Sequence, residues 1–152
     1  MMERSNAMRC LPVDPVLKGR RRAGVSEEVG PFASAHVLIN YERKFWGLPS
    51  LQRSCSLDTI ARMHAEKIAS LEKVEHSTST LEELQEKLES TVVGENVHVG
   101  EGVRQIHDHI MKVNDRAMES RRNVLTRKFR EVGVGTAKAA DGRLYVVQLF
   151  RG

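Results

Sequence analysis

The sequence predicts an α+β protein in which about four helices pack against a small, mostly antiparallel sheet. Apolar residues recur at helical spacing from residue 33 to about residue 118, whereas residues 131–152, EVGVGTAKAADGRLYVVQLFRG, alternate in the manner of strands. A third alternating stretch, residues 96–99, can join the same sheet. Helices that cover a sheet of this kind form a layered sandwich.

The composition fits one globular domain. The chain has 152 residues, of which 40% are hydrophobic and 29% charged, near the average for globular proteins. No apolar run approaches the roughly 18–20 residues that a membrane-spanning helix needs. The net charge is +4, but residues 1–31 hold six Lys/Arg against four Asp/Glu, and the rest of the chain holds 18 against 16. This balance gives little support to a nucleic-acid partner.

Residues 1–31 are predicted to be a disordered tail or linker, which places the domain at residues 32–152. Three of the four prolines and the basic run KGRRR fall in this tail, without sustained periodicity. It lacks the continuous apolar segment of a secretory signal, so the sequence leaves the compartment open. Cys10 and Cys55 could form at most one disulfide, which does not make a disulfide-rich scaffold.

The first two helices follow from apolar stripes. The first begins near residue 33 and is stopped by Gly47 and Pro49. Ser56 is predicted to cap the second helix, with Asp58 near the positive end of the helix dipole. The inward residues of the first helix are Ala35, Leu38, Ile39, Phe45 and Trp46. Those of the second helix are Leu57, Ile60, Ala61, His64, Ala65, Ile68 and Leu71.

The third and fourth helices have their own signals. Thr80 and Glu83 have the spacing of a capping box, which starts the third helix. The fourth helix is predicted over residues 102–118. The inward residues are Leu81, Leu84 and Leu88 in the third helix, and Val103, Ile106, Ile110 and Met111 in the fourth.

The dipeptide Asp141-Gly142 predicts a tight hairpin turn, because both residues tolerate positive φ. The two strands on either side of it are therefore expected to pair antiparallel. Alternation places every second side chain on the same face of a strand. These sets are Val132, Val134 and Thr136 in the first strand, and Tyr145, Val147 and Leu149 in the second.

Five stretches, in this order, give the chain a family resemblance. They are LINYERKFWGLPSLQRSCSLDTIARMHAEKIA (38–69), EHS (75–77), GEN (94–96), RRNVLTRKFREVGVG (121–135) and GRLYVVQLF (142–150). Over about residues 33–151 the sequence resembles the CAP superfamily, or SCP domain, which comprises cysteine-rich secretory proteins, antigen 5 and pathogenesis-related type 1 proteins. It is most similar to the disulfide-poor, bacterial-type branch. The family is usually extracellular.

The resemblance implies an α-β-α sandwich with a cleft. In many members the cleft holds two histidines and two glutamates, which in some bind a divalent metal. The first histidine corresponds to His76 and the first glutamate to Glu95. Bacterial-type relatives read HRANIL where this chain reads SRRNVL, which places Ser120 at the second histidine. The nearest positions to the second glutamate are Val113 and Asn114.

The cleft predicted by the resemblance is lined by His76, Glu95, Ser120 and Asn123. Because Gly94 allows a close backbone approach, Glu95 is expected to point toward His76. A carboxylate beside an imidazole favours the protonated ring and can hold its orientation. The alternative is a structural role, in which Glu95 binds a backbone N–H group or an arginine.

The candidate metal ligands are His76 and Glu95, which fall short of the three protein ligands of a typical catalytic zinc site. His98 could join them if the alternation of its strand aims it at the cleft. His107 and His109 lie two apart on a predicted helix and therefore point in different directions. The sequence predicts no cofactor, with zinc or another divalent metal as the alternative.

Sequence reasoning favours a non-enzymatic binding module. Ser120 lies beside two arginines, but no histidine-plus-acid pair can be assigned to it, so no catalytic set is complete. The resemblance implies a lipid, sterol or partner-protein ligand. One alternative is a divalent-metal-assisted hydrolase that uses the same cleft. Another is a basic adaptor that binds anionic partners through residues 120–130 and the tail. The sequence indicates no oligomeric state.

Overall fold

The computed structural model describes residues 33–112 and 118–152. The predicted tail (1–31), its boundary with the domain, and the candidate positions Val113 and Asn114 lie outside the described residues. The described helices are α1 (Ala35–Phe45), α2 (Cys55–Leu71), α3 (Leu81–Leu88), α4 (Val103–Met111) and α5 (Met118–Val124). The described strands are β1 (Gln52–Arg53), β2 (Val93–Gly100), β3 (Glu131–Lys138) and β4 (Leu144–Arg151).

The four strands form one sheet in the order β1-β3-β4-β2. The short β1 runs parallel to β3, whereas β3 with β4 and β4 with β2 are antiparallel. Strand β2 is twice as long as predicted, because its pairing with β4 extends from Val93 to Gly100. The predicted mostly antiparallel sheet is confirmed, and β1 and β2 are its two edges.

Helices cover both faces of the sheet, so the predicted α-β-α sandwich is confirmed. On one face, α2 and α3 pack on the predicted set Tyr145, Val147 and Leu149. On the other face, residues of α1, α4 and α5 pack on Val132 and Val134. Each face has its own apolar cluster, and the sheet separates the two.

Helix α1 follows the predicted stripe except at its end. Ala35, Leu38 and Ile39 are buried, but Trp46 is 47% exposed. Trp46 is the residue that caps the helix rather than a member of its last turn, which turns its side chain outward. The ring lies 5.7 Å below the guanidinium carbon of Arg121, so it contacts a cation instead of the core.

Helix α2 begins at Cys55 and is capped by Ser54, so the prediction of Ser56 as the cap is wrong. Ser54 Oγ accepts a hydrogen bond from Leu57 N at 3.3 Å, and its backbone is extended. The helix starts earlier because β1 ends at Arg53 and leaves Ser54 at the junction. Asp58 lies in the first turn as predicted, and its carboxylate also accepts Val134 N at 2.8 Å, which joins the helix to β3.

The capping box of α3 is confirmed, since Thr80 Oγ1 accepts Glu83 N and the Glu83 carboxylate accepts Thr80 N. Leu84 and Leu88 are buried as predicted. Leu81, however, is 57% exposed. It is the first residue of an eight-residue helix, so its side chain lies at the rim of the layer and not beneath it.

The single fourth helix predicted over residues 102–118 is wrong. Helix α4 ends at Met111, because Lys112 turns to an extended backbone conformation (φ −70°, ψ 142°). A separate helix, α5, begins at Met118. Within α4, the predicted Ile106, Ile110 and Met111 are buried.

The predicted hairpin between β3 and β4 is confirmed, but its turn differs. Of the two turn residues Asp141 and Gly142, only Gly142 has positive φ (+88°). The Asp141 carboxylate instead accepts a hydrogen bond from Arg143 N at 3.0 Å. The Ala139 amide donates to the Arg143 carbonyl and the Gly142 amide to the Ala139 carbonyl, which closes a longer loop. Asp141 thus shapes the turn through its side chain.

Helix α2 lies very close to the backbone of β3. A Cβ atom placed on Gly135 would be 2.1 Å from Arg62 N, and one on Gly133 would be 2.3 Å from the Leu57 carbonyl carbon. Only glycine allows this approach. Within α2, the buried His64 donates a hydrogen bond from Nε2 to the Glu75 carbonyl at 2.7 Å. This bond holds the loop that follows the helix.

Candidate functional site

The fold brings His76 and Glu95 together at the edge of the sheet. His76 follows the loop that leaves α2, and Glu95 lies in β2. His76 Nδ1 donates to Glu95 Oε1 at 2.9 Å, and the backbone N–H of Ser77 donates to the same oxygen at 3.0 Å. The Glu95 side chain is only 2% exposed, whereas that of His76 is 63% exposed. The pair therefore has a buried anionic half and an open half.

Electrostatics favours the charged form of this pair. The hydrogen bond to Glu95 raises the pKa of His76 above 6.5 despite partial burial, and the negative charges of Glu95 and Glu119 add to the shift. Burial alone would raise the pKa of Glu95, but hydrogen bonds from His76 and Ser77, together with the His76 charge, outweigh it and lower the pKa below 4.5. Each partner thus stabilises the ionised form of the other.

The other two predicted cleft residues, Ser120 and Asn123, form hydrogen bonds with a residue on the opposite face of β2. Strand alternation directs Glu95 to the α2 side and its neighbour Asn96 to the α5 side. Asn96 Nδ2 donates to the Ser120 carbonyl at 3.1 Å, and Asn123 Nδ2 donates to Asn96 Oδ1 at 2.8 Å. Asn96 also donates to Gln148 on β4. The asparagine of the GEN stretch thus fixes α5 against the sheet.

Ser120 has a histidine partner that the sequence analysis did not assign to it. His98 Nε2 lies 2.8 Å from Ser120 Oγ, because His98 is two residues after Asn96 on the same face of β2. Burial, reinforced by the charges of His109 and His76, lowers the pKa of His98 to about 4. His98 is therefore neutral at neutral pH and accepts protons only weakly.

Glu119 is an acidic cleft residue that sequence reasoning missed. It lines the same cleft as Glu95 and Asn123, and its charge contributes to the raised pKa of His76. The resemblance pointed to a second glutamate shortly before Ser120, but at the positions of Val113 and Asn114. Glu119 immediately precedes Ser120, so the signal was present at a different register.

The cleft has a volume of about 240 Å³ and lies between the two helical layers, open to solvent. A Cβ on Gly94 would lie 2.9 Å from both Asn123 Oδ1 and Phe129 Cζ, so a larger residue there would displace these two side chains. One wall is formed by His76, Thr78, Ser79, Thr80, Leu81 and Leu84, the opposite wall by Glu119 and Asn123, and the base by Val93, Gly94 and Glu95.

The described residues do not fit a metal ion. His76 Nδ1 and Glu95 Oε1 are hydrogen-bonded to each other instead of pointing at a shared centre. His98 projects from the opposite face of β2, and His107 is buried against α1. Within residues 33–112 and 118–152, no group of three or more His, Cys, Asp or Glu side chains is arranged to hold a metal.

Two helical layers around a small sheet, with a histidine–glutamate pair in a cleft at the sheet edge, define the class of domain. The family model described as "CAP: Cysteine-rich secretory protein family" matches residues 37–150, which is most of the chain. The chain belongs to this family. No helix in the described ranges is long and apolar enough to cross a membrane.

Solved structures share this fold at low sequence identity. An outer surface protein from Borrelia burgdorferi is 17% identical, with a TM-score of 0.61 over 74% of this chain and 84% of that one. An extracellular SCP-domain protein from Bacillus anthracis is 20% identical, with a TM-score of 0.57 over 93% of this chain and 45% of that one. Schistosoma mansoni venom allergen-like protein 4 is 11% identical, with a TM-score of 0.53 and 68% of each chain covered. No curated protein matches the sequence.

Proposed function

We propose that this chain is a non-enzymatic binding module whose cleft binds a segment of a partner protein. The observation that carries the proposal is the open histidine over a buried carboxylate. Glu95 Oε1 is occupied by His76 and Ser77, while Glu95 Oε2 is buried and has no hydrogen-bond partner among the described residues. Buried polar atoms in native proteins normally have partners, so an unpaired one in a cleft points to a ligand.

The size and lining of the cleft favour a protein segment over a lipid or sterol. Its volume of about 240 Å³ is below the roughly 300–1,000 Å³ of sites that enclose small molecules. Hydroxyl groups of residues 78–80 and the polar ends of Glu119 and Asn123 share the surface with Leu81 and Leu84. A peptide can satisfy both kinds of wall because it carries main-chain donors and acceptors as well as apolar side chains.

The chemistry around Ser120 supports a binding role over a catalytic one. A histidine assists a serine nucleophile best when its pKa is near the working pH. The pKa of His98 is lowered to about 4, which makes it a poor base at neutral pH. Within the described residues its ring forms a hydrogen bond with Ser120 and with no carboxylate that could orient it.

The test is selection of random peptides from a displayed library on the full-length protein. We expect enriched peptides whose affinity falls about tenfold or more in Glu95→Gln, the loss typical of a hydrogen bond to a charged group. The matched control is Glu66→Gln, because Glu66 is exposed on α2 and does not line the cleft.

Two parallel assays can contradict the proposal. Cholesterol or palmitate that binds wild type but not Glu95→Gln, without any enriched peptide, would favour a lipid ligand. Turnover of peptide or ester substrates that a chelator abolishes and Glu95→Gln lacks would favour the metal-assisted hydrolase.

A further inference from the structure

Strand β2 pairs with β4 on one side only, since it is the last strand of the sheet. Two hydrogen bonds reveal which of its residues face β4. Gly152 N donates to the Val92 carbonyl at 2.8 Å, and Arg130 N donates to the Arg151 carbonyl at 2.8 Å. Main-chain groups of an antiparallel strand alternate in direction. The main-chain N–H and C=O groups of even-numbered β2 residues therefore point to β4, and those of odd-numbered residues point away from it.

The outward main-chain groups belong to Val93, Glu95, Val97 and Val99. In residues 33–112 and 118–152, neither the N–H nor the C=O of any of these four forms a hydrogen bond. An unpaired strand edge is a template for another strand, and proteins usually cover or blunt it. At eight residues β2 is long for an edge, whereas the opposite edge strand, β1, has only two residues.

The cleft lies along the first part of this unpaired edge. Residues 93–95 form its base, the segment 76–84 forms the wall on the α2 side, and α5 forms the wall on the other side. The free hydrogen-bonding groups of Val93 and Glu95 are therefore at the bottom of a groove between two layers. A chain in extended conformation has the shape and the main-chain groups that such a groove can bind.

We propose that an extended peptide from a partner protein pairs with the outer edge of β2, over residues 93–99, as a fifth strand of the sheet. This inference rests on the proposed binding of a protein segment in the cleft and assigns its mode. Alternate side chains of the added strand would face the two walls. One set would contact His76 and Leu81, and the other Glu119 and Asn123.

Amide hydrogen exchange on the full-length protein provides the first test. In the free protein we expect the amides of Val93, Glu95, Val97 and Val99 to exchange about tenfold or more faster than those of Gly94, Asn96, His98 and Gly100. A peptide selected from the random library should slow the first set and leave the second unchanged. Equal, slow exchange of both sets in the free protein would show that the edge is already covered and would overturn the inference.

Main-chain methylation of the selected peptide provides the second test. N-methyl groups at alternate positions should each weaken binding about tenfold or more, because they remove a donor that faces β2, while those at intervening positions should have little effect. Uniform sensitivity would indicate another binding mode. Binding that depends on Glu95 but shows no alternation would retain the proposed function and reject the added strand.

A variant of the edge itself completes the design. Val93→Pro removes one outward N–H at the first residue of an edge strand, a position where proline is tolerated. Val93→Thr keeps the N–H and the branched shape, so it is the matched control. We expect the proline variant alone to lose about tenfold in peptide affinity, with both variants melting as one cooperative transition. Equal affinities of the two variants would contradict the inference.

Discussion

Two histidine–glutamate pairs of similar geometry occupy opposite environments in this molecule. His76 Nδ1 lies 2.9 Å from Glu95 Oε1, and His107 Nε2 lies 3.1 Å from Glu42 Oε2. In the second pair both side chains are 1% exposed, between α1 and α4, whereas His76 is 63% exposed. The buried pair joins α1 to α4 away from solvent. The cleft pair joins a loop to β2 and is open to solvent on the histidine side, so exposure distinguishes the two pairs.

The largest expected loss of stability follows from a substitution in the buried pair of His107 and Glu42. His107→Ala should lower the free energy of unfolding by about 3–5 kcal/mol, because it leaves the Glu42 carboxylate buried without its imidazole. His76→Ala should cost less, about 1 kcal/mol, because removal of the exposed imidazole lets water reach the Glu95 carboxylate in its place. Urea unfolding measures both values. Similar losses in the two variants would remove the distinction between the pairs.

Glu95→Gln should have an intermediate effect of about 1–3 kcal/mol on the free energy of unfolding, since the buried carboxylate accepts from both His76 and Ser77. The substitution should also lower the pKa of His76 toward 6.5, because a neutral amide stabilises the protonated ring less than the carboxylate does. Urea unfolding and NMR titration of the imidazole report the two changes. A His76 pKa that stays unchanged would mean that Glu95 does not hold the ring.

A smaller effect is expected in the pH dependence of stability. The raised pKa of His76 contributes stability that is present below pH 6.5 and is lost as pH rises through the folded pKa. The lowered pKa of Glu95 contributes stability that is present above pH 4.5 and is lost as pH falls through the folded pKa. The stability difference between wild type and His76→Gln should therefore be greatest between pH 4.5 and 6.5.

The lowered pKa of His98 acts separately. Its contribution is present above pH 6.5 and is lost as pH falls toward about 4. Burial, its largest cause, is the same in both proteins, so subtraction of the His76→Gln curve removes all but the part due to the His76 charge. A difference between the two proteins that stays constant from pH 4 to pH 8 would contradict the linkage assigned to the cleft pair.

Zinc should produce the smallest effect. Calorimetric titration of the full-length protein should show no heat above dilution, because the two candidate ligands bind each other and not a common centre. Stoichiometric binding that disappears in His76→Ala would show that the pair can open around an ion.

Sequence alone predicted what depends on local chemistry. The capping box of α3 lies within four residues, and the faces of the hairpin strands follow from their alternation, so both were predicted correctly. The N-cap of α2 was not, because its position depends on β1, which exists only through its pairing with β3. The contact between His98 and Ser120 was not predicted for a similar reason. The two residues are 22 positions apart in the sequence and are brought together by the packing of α5 on β2.

Gly135 on β3 lies outside the cleft but contacts the helix that precedes one of its walls. Since α2 rests directly on Gly135, a single methyl group there would push the helix outward. The bond from His64 to the Glu75 carbonyl would transmit that displacement to the residue next to His76. The position of the loop that carries His76 therefore depends on a strand that lies outside the cleft.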